Sequence, residues 1–234
     1  LIINHPRAGG IRQGYFNEAG YDPLTGSLAH PELWDEDFTL IEVFNSGDFE
    51  RFRDSTVQDW FGLLSSGRRV FAVGCSDSHD IRSAPVGYPR TCLSVGTDDP
   101  STLTATQVRD ATQSGRSTVN GGIYLEITGP GGAGPGEEAS GAGARASLDV
   151  VLRAASYVEV SRLEVIVDGA TTETIPILPA DADPSDPVVR ARATIEVDVA
   201  PSGSWVVLHA AGDAALDANG HRPFVVSNPI FLTR

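Results

Sequence analysis

Asp77-Ser78-His79 follows an apolar run, Val70-Phe71-Ala72-Val73-Gly74-Cys75-Ser76. In extended backbone, residues i and i+2 point the same way, so this carboxylate and imidazole can approach one cation together. Such a donor set suits Zn, Mn or Fe, which take imidazole and carboxylate without needing thiolate. A second imidazole, His5, comes just after Leu1-Ile2-Ile3. Taken alone it reads as a turn or capping histidine, and beside the Asp77/His79 pair it reads as a third ligand. Glu42 interrupts Leu40-Ile41-Glu42-Val43-Phe44. A charge buried there is costly unless it is coordinated or paired, so a metal, an arginine partner and an edge position are all open readings. Asn45, at the end of that run, either hydrogen-bonds a substrate or ligand or caps a turn.

The elements that position these residues alternate in the first half of the chain. Leu1–Ile3, Phe38–Phe44, Arg69–Gly74 and Val86–Val95 read as near-continuous apolar strands. Glu50–Ser65 reads as a helix with Phe52, Val57, Trp60, Phe61 and Leu64 along one stripe, stopped by Gly67. Ser101–Gly115 reads as another, with Leu103, Val108 and Ala111 inward. Such alternation indicates a parallel sheet covered on both faces. In a β/α barrel the carboxyl ends of parallel strands share one rim, and three successive strands here run into His5, Asn45 and the Asp77/His79 pair.

Near residue 120 the helical period ends. Ile123–Thr128, Ser147–Ala154, Ser161–Asp168, Glu173–Leu178, Val188–Val199, Ser204–Ala211 and Pro229–Thr233 read as strands separated by Gly, Pro and Asp turns. Gly129–Gly143 reads as a loop. The expectation is therefore an α/β + β chain: part of a β/α barrel over residues 1–120, then an antiparallel β-sandwich over 121–234.

Composition narrows the functions. A net charge of −14 argues against holding a phosphate backbone by bulk electrostatics, so no nucleic-acid partner is expected. No run approaches the roughly 18 apolar residues of a membrane-spanning helix. Cys75 and Cys92 lack metal-type CxxC spacing and read as buried thiols, with a single disulfide as the alternative. Gly129–Gly136 has no following Lys-Ser or Lys-Thr and is no phosphate cradle, and Asp213–Gly220 lacks the ligand spacing of a calcium loop.

Several segments together resemble the PHP (polymerase and histidinol phosphatase) superfamily, in particular its CehA/McbA-like branch of metallohydrolases. They are Asn4-His5-Pro6, Ile41-Glu42-Val43-Phe44-Asn45, Trp60–Gly67 leading into Gly74-Cys75-Ser76-Asp77-Ser78-His79, Gly87-Tyr88-Pro89-Arg90-Thr91 and Ser227-Asn228-Pro229-Ile230-Phe231. The resemblance implies a distorted barrel, up to three divalent metals (Zn, Mn or Fe) and hydrolysis of a small anionic or phosphorylated substrate. By it, His5, Asp77 and His79 are ligands, with Asp77 and His79 catalytic and Glu42 either a ligand or a partner behind one. Arg90, and with it Arg7 and Arg82, would clamp the anion, against a surface ion pair for each. The family's opening His-x-His is absent, and a complete barrel needs roughly 200 residues or more. The chain is thus expected to carry the second half of the barrel and an incomplete metal set, and to be inactive by itself. The competing expectation is a non-catalytic binding or scaffold protein with a degenerate barrel and an interacting β domain.

Overall fold

The structure is a computed structural model that describes residues 1–7, 14–80, 82, 84–141 and 143–234. Its first part comprises β1 (Ile2–Ile3), α1 (Tyr15–Ala19), β2 (Leu40–Asn45), α2 (Phe49–Phe52), α3 (Thr56–Ser65) and β3 (Phe71–Cys75). The three strands pair in parallel in the order β1–β2–β3, with Ile2 opposite Leu40 and Leu40 opposite Phe71. β2 is buried through its first five residues, as an apolar strand covered on both faces must be. Between β1 and β2, Trp34 gathers the rings of Tyr15, Phe16, Tyr21 and Phe38 at 5.1–5.4 Å. That cluster fills one side of the sheet.

The single helix expected over Glu50–Ser65 is two. Asp48 caps α2 by accepting from the Arg51 amide, and Ser55 leaves helical backbone at φ −136°, ψ −106°. Two buried side-chain bonds then fix α3 on the sheet: Thr56 Oγ1 donates to the Val43 carbonyl and Trp60 Nε1 to that of Val70. The break lets α2 and α3 turn separate faces to their neighbours.

The remainder comprises β4 (Arg90–Leu93), α4 (Ala105–Gln113), β5 (Ser117–Asn120), β6 (Ile123–Thr128), β7 (Glu138–Ala139), β8 (Arg145–Ala154), β9 (Arg162–Val167), β10 (Ala170–Pro176), β11 (Val189–Asp198), β12 (Ser204–Ala211), β13 (Phe224–Ser227) and β14 (Ile230–Leu232). One sheet runs β10–β9–β12–β13–β5–β4, with β14 joining β12 to β7. The other is β11–β8–β6. β6 alternates buried and exposed residues, placing Ile123, Leu125 and Ile127 in the core between the sheets. β12 is buried along its whole length. Val206, Leu208 and Ala210 enter that sandwich core, while Trp205, Val207 and Ala211 enter a second core with Phe49, Trp60 and Phe61. A strand covered by a sheet on one side and helices on the other loses its alternation.

Other expectations are corrected. The stretch Val86–Val95 yields only β4, which runs antiparallel to β5 instead of extending the parallel sheet. Thr91 still ties it to β3 through two hydrogen bonds with Gly74. A Cβ at Gly74 would lie 2.2 Å from Val119 Cγ1, so β3 and β5 approach closely only because Gly74 has no side chain. Thr104 and Gln107 form a capping box that starts α4 late, leaving Leu103 and Val108 exposed and only Ala111 buried. β5, β7 and β13 are additional strands, too short for a period-2 pattern and defined by their partners. Three parallel strands are described, fewer than the eight of a closed barrel. The composition shift at residue 120 falls within one sheet, because β4 and β5 pair onward to β13. Among the described residues, no helix is long and apolar enough to cross a membrane.

Candidate functional site

Because β1, β2 and β3 are parallel, their carboxyl ends lie on one side of the sheet. Just beyond them, His5, Ser46 and Asp77 have φ of 49°, 50° and 45°. Left-handed backbone is uncommon for residues with a Cβ, and here it occurs after three adjacent strands, a pattern typical of constrained sites. Ser46 binds the ends of β2 and β3 together, its amide donating to the Cys75 carbonyl and its hydroxyl to that of Ser76.

Glu42 is 4% exposed and anchors this rim. Its Oε2 accepts from the His5 amide at 2.9 Å and lies 3.3 Å from His5 Nδ1, and its Oε1 accepts from Asn45 Nδ2 at 3.1 Å. Asn45 Nδ2 is 3.4 Å from His5 Nδ1. Asn45 Nδ2 only donates, so in that hydrogen bond His5 Nδ1 accepts, and Glu42 Oε2 adds an ion-pair contact when the ring is protonated. Glu42 thus holds His5 in place through its backbone amide. Desolvation and then the Glu42 and Asp77 carboxylates push the Cys75 thiol up to about 11, so the end of β3 lies within the field of Glu42.

Asp77 and His79 are exposed. His79 Nδ1 is 2.5 Å from the Asp77 carbonyl and 3.8 Å from its Oδ1. A carbonyl only accepts, so Nδ1 is the donor and Nε2 of His79 remains free. Asn45 and Arg7 line a recess of about 230 Å³ with His5 and Glu42. The Arg7 guanidinium is engaged in its wall: Nε and Nη2 grip Asp59, which is 1% exposed, at 2.8 and 2.6 Å, and Nη2 also reaches the Tyr21 carbonyl. Arg90 lies elsewhere, on β4, where its Nε donates to Asn120 Oδ1. Arg82 accepts at its carbonyl from Asn219 Nδ2.

Among the described residues, His5, Glu42, Asp77 and His79 do not bring three ligand atoms within 4.8 Å of one another. Glu50, Glu164 and His209 do, and that group could hold a metal ion. Its oxygens are already occupied. Arg53 donates to both oxygens of Glu50 and, at 2.7 Å, to Glu164 Oε2. Arg162 donates to Glu50 Oε1 at 2.8 Å and lies 3.5 Å from Glu164 Oε1. Two guanidiniums balance two carboxylates, and a cation would have to displace them. His209 is fully buried, stacks on Phe49 at 4.1 Å and directs Nδ1 at Glu164 Oε2 over 3.0 Å. Burial lowers its pKa more than Glu164 raises it. Burial also raises Glu164, but the hydrogen bonds from His209 and Arg53 outweigh it and hold that carboxyl at about 2. This network joins α2 to β9 and β12. Its sequence signal is two polar residues inside apolar strands, which the structure places directly opposite each other.

No protein-family model matches this chain, and no curated protein or solved structure does so either. Its chemistry must be read from the rim. Of the residues singled out by sequence, His5, Glu42 and Asn45 are in direct contact, and Asp77 and His79 lie at the end of the next strand. Arg7 is held by Asp59 and Arg90 stands outside the recess. Sequence reasoning missed the β2–β3 clasp at Ser46 and the pairing of Arg7 with Asp59.

Proposed function

We propose that this chain supplies part of the metal rim of a PHP-type hydrolase acting on a small anionic or phosphorylated substrate. The observation that carries the reading is the His5 ring, held against buried Glu42 after β1, on the same side of the sheet as the end of β3, two strands across, from which Asp77 and His79 project. The donor chemistry fits: two imidazoles and one carboxylate suit Zn, Mn or Fe. Glu42 holds His5 in place through its backbone amide, and the Asp77 carbonyl fixes the tautomer and direction of the His79 ring, as partners behind metal ligands do. A bound divalent ion supplies a water of lowered pKa and neutralises charge on substrate oxygens. Asn45 lines the same recess, its Nδ2 bridging Glu42 and His5. On this reading the three parallel strands belong to the family's distorted barrel.

The test is titration of the purified chain with Zn²⁺ and Mn²⁺ by calorimetry, with metal content read by elemental analysis. Saturable binding is expected. Asp77→Ala and His79→Ala should weaken it at least tenfold, and Glu42→Gln should weaken it by about 10- to 100-fold. Binding that all three variants leave unchanged refutes the site. A chain that takes up neither ion favours a scaffold role.

A further inference from the structure

Arg90, which does not join the rim, lines a second recess of about 420 Å³, the size of a small-molecule site. It opens where β4, from one sheet, meets β6, from the other. Two phenol rings flank it, Tyr124 at 47% exposure and Tyr157 at 87%. Large aromatic faces left in water are costly, and two around one cavity mark a contact surface. A third ring, Tyr88, is buried beneath and holds its place by donating its hydroxyl to the Arg222 carbonyl. The His221 ring lies 4.5 Å from that of Tyr88 and is oriented by Asp217, whose Oδ2 is 2.7 Å from Nδ1.

The polar groups are fixed yet incompletely used. Arg90 Nε is committed to Asn120, and no hydrogen bond to its terminal nitrogens occurs among the described residues. Its guanidinium carbon stands 5.8 Å from the centre of the Tyr124 ring. Positive φ at Gly87 (+83°) brings the backbone under that guanidinium: a Cβ there would sit 3.5 Å from Nη1. Among the described residues, Nδ1 is the ring nitrogen of His221 that is hydrogen-bonded.

We infer that this recess binds a neutral sugar ring. Tyr124 and Tyr157 offer flat apolar faces to the C–H side of a pyranose, and Arg90, Asp217 and His221 supply the donors and acceptors that paired hydroxyls need. An anion is the poorer occupant. The single guanidinium is opposed by Asp217 in the same recess, and the chain carries a net charge of −14. This binding site is separate from the proposed metal rim and does not depend on it.

The test is ligand- and protein-observed NMR titration of the chain with the methyl glycosides of glucose, galactose, mannose and N-acetylglucosamine, with phenyl phosphate as the competing anion. At least one neutral sugar should saturate with a Kd of about 10 mM or tighter. Tyr157→Ala should weaken it by about 3- to 10-fold and Arg90→Gln by about tenfold. Both side chains are exposed, so both variants should keep the parent's circular dichroism. Maltotriose or chitotriose binding at least about tenfold tighter than its monosaccharide identifies a glycan chain as the source, and equal binding identifies a free sugar. Failure of every sugar to saturate, an unchanged Kd in Tyr157→Ala, or preference for phenyl phosphate overturns the inference.

Discussion

Replacing Glu164 by Gln tests whether the charge network between α2 and the large sheet stabilises the fold. Glu164 is 9% exposed and its carboxyl titrates near 2 in the folded chain, against an ordinary value of 4.5. Its folded pKa is depressed, so its stabilisation is fully present above the unfolded value and is lost as pH falls from about 4.5 toward 2. A gap of roughly two and a half pH units, at about 1.4 kcal/mol each, corresponds to about 3 kcal/mol at pH 7. The same linkage leaves only about 1 kcal/mol at pH 3. Gln keeps the shape and removes the titration. Urea unfolding of both proteins at pH 7, 5, 4 and 3 gives the difference directly, and the contributions of carboxylates outside this network cancel. The stability difference should shrink by about 2 kcal/mol between pH 7 and pH 3. A difference that stays constant over that range would refute the argument, because it would trace to packing and not to a carboxylate held ionised by Arg53 and His209.

Two other perturbations test the walls of the rim. Arg7→Met leaves Asp59 buried without its guanidinium and should cost about 3–5 kcal/mol in urea unfolding, whereas Arg7→Met combined with Asp59→Leu should recover most of that loss. Cys75 is exposed yet its thiol lies near 11, so at pH 8 iodoacetamide should label it about a hundredfold more slowly than an ordinary thiol. Glu42→Gln removes the nearest carboxylate and should speed that labelling; an unchanged rate would separate Glu42 from the Cys75 sulfur.

By itself, the sequence determined those features whose information is local. The strands β6 and β12 occupy the stretches their patterns indicate, residue for residue, since the period-2 alternation of β6, the continuous apolar run of β12 and their bounding turns act within a few positions. The apolar runs ending at His5, Asn45 and Asp77 mark strand ends for the same reason. The direction of β4 was settled only in three dimensions: an apolar run carries no sign of which neighbour it will pair with, and contact with β5 made it antiparallel. So was the fate of the charges. Arg7 meets Asp59 across 52 positions, Arg53 meets Glu164 across 111, and His209 meets Glu164 across 45. A buried charge must find a counter-charge within a few ångströms, and which one it finds depends on how layers stack, a distance that spacing along the chain does not encode.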